Sequence, residues 1–317
     1  MNYYLGVDLG GTNIAVGVVD EDMRILGRGK KKTNAPRPAQ EIVEDIVSAI
    51  SMALEQAELS MEQIQWIGVG TPGSVDIVAG VVGYAANLGF LNTPLASMIG
   101  ERTGKQVYLG NDGNAAAYGE ALAGHAKGAK DVVMVTLGTG FGSGIVIDGR
   151  IYTGYQSKAG EIGHAAMVYN GRPCTCGRKG CIEAYCSATG LISTTREYME
   201  RFPQSQMWEL AKKEGDAVSG RTAFDAMRSG DEAGAGVVEE YINHLGCALA
   251  NIVDIFAPEY LVVGGGICNE GETLMAPLRR VVEQEIFDYD PQKATKLVTA
   301  ALGNDAGILG AAFLGKA

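Results

Sequence analysis

The chain has 317 residues, 46% hydrophobic and 20% charged, an ordinary balance for a folded globular protein and enough length for two cores. Its net charge of -11 and pI of 4.9 leave no basic face for nucleic acid, and no apolar run reaches the length of a membrane span. The opening MNYYLGVDLGG lacks the basic-then-apolar order of a secretion signal, so a cytoplasmic location is expected.

Residues 3–8 and 14–19 read as strands about the turn Leu9-Gly10-Gly11-Thr12, and 24–33 supply a third. Ile42, Val43, Ile46, Val47, Ile50, Ala53 and Leu54 recur at helical spacing. A strand over 65–70 ends in Thr71-Pro72-Gly73. Thr93-Pro94 reads as an N-cap followed by proline in the first helical turn, opening a helix to Gly100. A strand over 106–110 leads through Asn111-Asp112 into an alanine-rich helix.

The pattern then restarts. Strands over 132–137 and 144–147 flank the turn Gly138–Gly142. Shifting the first hairpin by 128 positions lays Val7 on Val135, Leu9 on Leu137, Gly10 on Gly138, Val18 on Val146 and Asp20 on Asp148. Helices and further strands follow both hairpins, which favours duplication over chance likeness. After an irregular stretch over 155–187, helices are predicted at 188–201, 206–214, 222–229, 232–256 and 271–286. Strands are predicted at 260–263 and 296–300, and a last helix from Asp305. Strands alternating with helices place the chain in the α/β class.

Glycine is the compositional outlier, with 45 residues, about twice average usage. In the first turn, Gly10 and Gly11 leave backbone N–H groups open to a phosphate, Thr12 adds a hydroxyl and Asn13 an amide. Asp8 is suited to Mg²⁺ or its waters. Thr136, Gly138, Thr139 and Gly140 offer a second set of donors without an acid. The glycines lead into strands and no GxxxxGK[ST] occurs, which excludes the P-loop and the dinucleotide fingerprint. Two equivalent glycine hairpins, one carrying an acid, resemble the actin and hexokinase superfamily, in which two ribonuclease-H-like domains hold ATP in the cleft between them.

Asp112 stands where a strand ends and a helix begins. It is either a helix N-cap or a carboxylate able to take a proton from an attacking hydroxyl. His164, Cys174, Cys176 and Cys181 give His-x9-Cys-x-Cys-x4-Cys, three thiolates and an imidazole, a closed tetrahedral zinc shell of the structural kind. Glu161 and Glu183 flank it.

Asp8–Thr12, Gly68–Gly73, Asn111–Asn114, Leu137–Gly142, Glu161–His164 and Cys174–Glu183 occur in this order and together resemble the ROK family of sugar kinases and repressors over essentially the whole chain. The resemblance implies Asp112 as catalytic base. It implies Asn87, Asn111, Glu161, His164 and Glu183 as sugar-hydroxyl contacts, with Gly73 nearby, and the adenosine side of the site at Gly264, Gly265 and Gly266. It further implies ATP, Mg²⁺ near Asp8, a structural zinc and a homodimer or homotetramer. The expected domains are 1–118 with 302–317, and 119–301. The first glycine turn lies within ten residues of the start, so a DNA-binding repressor is disfavoured. The Cys-x-Cys-Gly-x-x-Gly-Cys-x-Glu form is similar to the glucokinase branch, though N-acetylglucosamine and N-acetylmannosamine kinases share it.

Overall fold

The computed structural model describes residues 2–317. By compactness it separates into two units. One comprises the chain up to Met134 with Gly144–Gly160 and Ala300–Ala317; the other comprises Val135–Ser143 and Glu161–Thr299.

In chain order the first part contains β1 (Tyr3–Leu9), β2 (Asn13–Asp20), β3 (Ile25–Lys32), α1 (Ala39–Ala57), β4 (Ile64–Thr71), β5 (Ser74–Asp76), β6 (Val81–Ala85), β7 (Phe90–Thr93), α2 (Leu95–Thr103), β8 (Val107–Asn111) and α3 (Asp112–Ala123). Five strands form one sheet in the order β3-β2-β1-β4-β8. The hairpin pairs are antiparallel, while β1–β4 and β4–β8 are parallel. The apolar stripe predicted for α1 is buried against this sheet: Ile42, Ile46 and Ile50 join Leu5, Val7, Val16, Val18, Ile67 and Val69 in one core. β5, β6 and β7 form a separate three-stranded sheet that the sequence reading did not anticipate.

The remaining elements are β9 (Val132–Leu137), β10 (Phe141–Ile147), β11 (Arg150–Ile151), α4 (Glu183–Cys186), α5 (Ala188–Arg201), α6 (Met207–Lys213), α7 (Thr222–Arg228), α8 (Glu232–Phe256), β12 (Tyr260–Gly264), α9 (Glu272–Glu285), β13 (Lys296–Thr299) and α10 (Asp305–Ala312). The second sheet runs β11-β10-β9-β12-β13, and the division between units falls inside β9 and β10. Its order is that of the first sheet, strand for strand, and the 128-residue shift carries Tyr3–Leu9 onto β9 and Asn13–Asp20 onto β10. The duplication read from two hairpins therefore extends to the whole sheet.

The C-terminal helix α10 belongs to the first unit and packs there at backbone distance. A Cβ on Gly6 of β1 would lie 2.0 Å from the Ile308 carbonyl oxygen, and one on Gly68 of β4 would lie 1.7 Å from that of Ala311. Glycine at these two strand positions is a steric requirement, and it fixes α10 directly under the strands that carry Asp8 and Thr71.

Two local expectations fail. Thr93 does not cap α2: Pro94 is the cap residue and no side chain bonds the helix end. Thr93 is instead the last residue of β7, paired with Val82. The helix also runs to Thr103, closed by Gly104 in the left-handed conformation, rather than stopping at Gly100.

Candidate functional site

In the first unit the chemistry gathers at the carboxyl ends of β1, β4 and β8. Asp8 pairs in register with Gly70, Gly70 with Gly110, and Thr71 with Asn111. The Gly10 N–H closes the first turn onto the Asn13 carbonyl at 2.9 Å, and the buried Thr33 hydroxyl donates to the Gly10 carbonyl at 2.6 Å. Gly11 faces Asn87: a Cβ there would lie 3.4 Å from Asn87 Nδ2. Asn13 Oδ1 is buried and has no hydrogen-bond partner. An unpaired buried acceptor is costly to retain, so Asn13 Oδ1 calls for a donor or a cation brought by a ligand.

α3 begins at Asp112, but the cap is Asn111, whose side-chain oxygen accepts from the N–H groups of Gly113 at 2.9 Å and Asn114 at 3.2 Å. β8 runs one residue further than predicted, which places Asn111 at the half-helical position and Asp112 in the first turn. Asn111 Nδ2 remains free to reach the Gly73 carbonyl at 3.4 Å. Gly73 has φ +90, and a Cβ there would lie 2.1 Å from the Tyr84 carbonyl, so only glycine fits this turn. Burial raises the Asp112 carboxyl above the usual aspartate range, partly offset by the Gly113 N–H. Burial first, and the neighbouring Asp112 second, push Asp8 up to about 6. Two carboxyls are thus held where a cation or a proton would relieve them.

In the second unit, the second glycine turn is fastened from behind. The Ala188 N–H donates to the Gly138 carbonyl at 2.9 Å, and the Thr189 hydroxyl to the Thr139 carbonyl at 2.7 Å. Both donors lie in the first turn of α5, whose cap is Ser187. Gly265, at φ +96, lies against Leu137, where a Cβ would approach the backbone to 2.4 Å; this brings the 264–266 glycines beside the second turn. Glu183 joins the same turn: its Oε2 accepts the Phe141 N–H at 3.1 Å while its Oε1 accepts the Thr175 hydroxyl at 3.1 Å.

The predicted zinc ligands converge. The ligand atoms of His164, Cys174, Cys176 and Cys181 lie within 4.8 Å of one another. Cys176 and Cys181 sulfurs are 3.7 Å apart, as are Cys174 Sγ and His164 Nδ1. A tetrahedral ion with Zn–S near 2.3 Å and Zn–N near 2.05 Å requires about 3.8 Å between sulfurs and about 3.6 Å from sulfur to nitrogen. The set fits zinc and is far from disulfide geometry; all six cysteines are free. Arg178 donates to the His164 carbonyl at 3.0 Å, which holds the basic side chain beside the thiols. Burial pushes the Cys174 thiol up to about 12, whereas the Arg178 N–H lowers Cys176.

Within the first unit, then, Asp8, Gly10, Gly11, Asn13, Gly73, Asn87, Asn111 and Asp112 lie on adjoining strand ends and turns, with Thr12 exposed at the turn tip. Within the second, Thr136–Gly140, Glu183 and Gly264–Gly266 adjoin one another. Glu161 is exposed and immediately precedes the helical turn Ile162–His164, whose first bond is His164 N–H to the Glu161 carbonyl at 3.1 Å. The sequence reading missed Thr33, Thr189 and Gly307, where a Cβ would lie 3.0 Å from Asp8 Cγ. Only Ser187-Ala188-Thr189, a helix-start signature, offered a sequence signal. Among the described residues no helix is long and apolar enough to cross a membrane.

A profile described as the ROK family matches residues 4–317. A glucokinase from Thermotoga maritima is 36% identical over 314 residues, 98% of this chain and 96% of that one. The crystal structure of a ROK family glucokinase from Streptomyces griseus in complex with glucose and AMPPNP aligns with a TM-score of 0.81 at 34% identity, covering 99% of each chain. That of a ROK hexokinase from Thermus thermophilus reaches 0.84 at 31% identity, covering 98% of this chain and 97% of that one. The expected duplicated α/β fold is the fold these structures share.

Proposed function

We propose that this chain, which belongs to the ROK family, is an ATP-dependent hexose kinase, and specifically a glucokinase that converts glucose and ATP to glucose 6-phosphate and ADP. The observation that carries the reading is Asp112, a desolvated carboxyl at a helix start whose capping duty is taken by Asn111. A raised proton affinity is what a general base needs.

In the proposed reaction the sugar hydroxyl attacks the γ-phosphorus in line, and its proton passes to the Asp112 carboxylate. The new O–P bond forms as the bond to the bridging oxygen of ADP breaks. The N–H groups of Gly11 and Gly140, the hydroxyls of Thr12, Thr136 and Thr139, and the Asn13 amide hold the phosphates, while Gly10 and Gly138, whose own N–H groups close the two turns onto the Asn13 and Gly140 carbonyls, shape them. Gly264–Gly266 flank the adenosine. Asp8 would hold Mg²⁺, which supplies charge neutralisation at the β- and γ-phosphates. Asn87, Asn111, Glu161, His164 and Glu183 orient the sugar, with Gly73 shaping the turn beside it. A zinc on His164, Cys174, Cys176 and Cys181 would be structural, since four protein ligands leave no open position. The functional domains are taken as 1–118 with 302–317 and 119–301, in a cytoplasmic homodimer or homotetramer.

An assay coupling ADP release to glucose, mannose, fructose, N-acetylglucosamine and N-acetylmannosamine tests the reading. Glucose is expected to give the highest kcat/KM. A clear preference for an N-acetyl sugar would replace the glucokinase assignment with the N-acetylhexosamine kinase that shares the cysteine motif.

A further inference from the structure

We propose that Arg172 is a positioning residue for the sugar. It ties the cysteine segment to helices α5 and α8 by protein contacts alone, and thereby sets where Glu183 and His164 stand. The proposal rests on the hexose-kinase reading for its functional consequence.

Arg172 lies two residues before Cys174, and both of its terminal guanidinium nitrogens, its backbone N–H and its carbonyl are in use. Its Nη1 donates to Thr194 Oγ1 at 2.8 Å and its Nη2 to Glu197 Oε2 at 2.9 Å, both on α5. Glu240 on α8 stands 3.8 Å from the same Nη2. Its backbone N–H donates to the Tyr185 hydroxyl at 2.8 Å, and its carbonyl accepts the Gly180 N–H at 2.8 Å. The guanidinium lies 4.9 Å from the centre of the Tyr185 ring, whose other contact is His244 on α8 at 5.0 Å. The arginine side chain is only 20% exposed.

A metal ion would join His164 and the three cysteines to one another, and it supplies no bond to α5 or α8. Arg172 supplies that bond. Tyr185 carries the constraint onward, because it is buried and stands two residues after Glu183 in the single turn of α4. A Cβ on Gly171 would lie 2.1 Å from the Tyr185 hydroxyl, so the chain before Arg172 is closed tightly around that ring. The planar fork is essential to this arrangement: a lysine ammonium cannot bond Thr194 and Glu197 while lying flat on an aromatic face.

The test compares Arg172→Met and Arg172→Lys with wild type for steady-state kinetics, thermal denaturation and the rate of zinc transfer to a chromophoric chelator. For Arg172→Met we expect the hexose KM to rise roughly tenfold, the ATP KM to stay within about twofold, and zinc release to quicken roughly tenfold; Arg172→Lys should not restore either. An unchanged hexose KM in a folded variant, restoration by lysine, or parallel losses in kcat and ATP KM would overturn the proposal. If Arg172→Met does not fold, Tyr185→Phe removes one hydrogen bond and keeps the ring. A rise of about two- to threefold in hexose KM is then expected, and no rise overturns it. If the wild type phosphorylates no hexose, the kinase reading fails separately. The zinc-release rates still decide the clamp: equal rates in wild type and variant would refute it.

Discussion

Replacing Asp8 with Asn should remove activity and stabilise the fold together. The folded Asp8 carboxyl titrates at about 6 against an ordinary 3.8, because it is buried and faces Asp112. Below the ordinary value both folded and unfolded chains hold the proton, and Asp8 contributes nothing to a pH dependence. Between the two values the unfolded chain releases the proton while the folded chain keeps it, so stability falls as pH rises. Above about 6 both are ionised and the full cost persists. A difference of about two pH units corresponds to about 3 kcal/mol of native-state destabilisation at neutral pH. An asparagine amide must find its own partners in the same place, which offsets part of the gain, leaving about 1–3 kcal/mol. For a unit of this size that is on the order of 5 °C in Tm. The assay is thermal denaturation of wild type and Asp8→Asn at pH 7.5 and pH 4 without added Mg²⁺. The variant should gain at pH 7.5 and show little difference at pH 4, while phosphoryl transfer falls roughly a hundredfold or more. A variant less stable than wild type at pH 7.5, or equally stabilised at both pH values, would refute the burial argument.

Two further outcomes concern the base and the metal. Asp112→Asn should lower kcat by roughly a hundredfold or more with the fold intact. In the wild type kcat should decline on acidification through a pKa above the usual aspartate range, because protonation removes the base; near-normal turnover in a folded variant would remove Asp112 from the role. Elemental analysis should find about one zinc per chain, lost in Cys174→Ser and lost on mild acidification, because burial holds the Cys174 thiol protonated until a cation displaces the proton. A zinc-free, fully active protein would show that the cysteines serve packing alone.

Most of the fold was legible because apolar period and glycine punctuation agreed. β1, β2, α1 and α8 each carry an unambiguous pattern, and the cluster of His164, Cys174, Cys176 and Cys181 is local enough in sequence for spacing to define it. The failures have physical causes. β5, β6 and β7 are three to five residues long, and Ser74–Asp76 buries only its central residue, so no hydrophobic period exists to detect. Thr93-Pro94 has the chemistry of a helix start, but pairing with Val82 keeps Thr93 in the ladder and moves the cap to proline. Asn111 and Asp112 are both good caps; the pairing of Asn111 with Thr71 decides between them by extending β8 one residue. The Arg172 contacts reach residues 22 and 25 positions away on another element, beyond any local signal.

The two halves share a sheet order yet have been furnished differently, and the difference falls where function needs asymmetry. After the fourth strand of its sheet, the first half inserts β5–β7, which bring Gly73 to Asn111 and Asn87 to Gly11. The second half inserts the cysteine segment after its third strand, β11, which brings Glu183 to the Phe141 N–H. Each glycine turn therefore meets a carboxylate, by opposite routes. In the first, Asp8 is part of the strand and burial raises its proton affinity, a state that a divalent cation relieves. In the second, Glu183 arrives from a distant loop and already accepts hydrogen bonds from a backbone N–H and a hydroxyl. Glu183 is thus satisfied by protein donors whereas Asp8 is not, and this asymmetry supports the proposal that Mg²⁺ is held at the first turn.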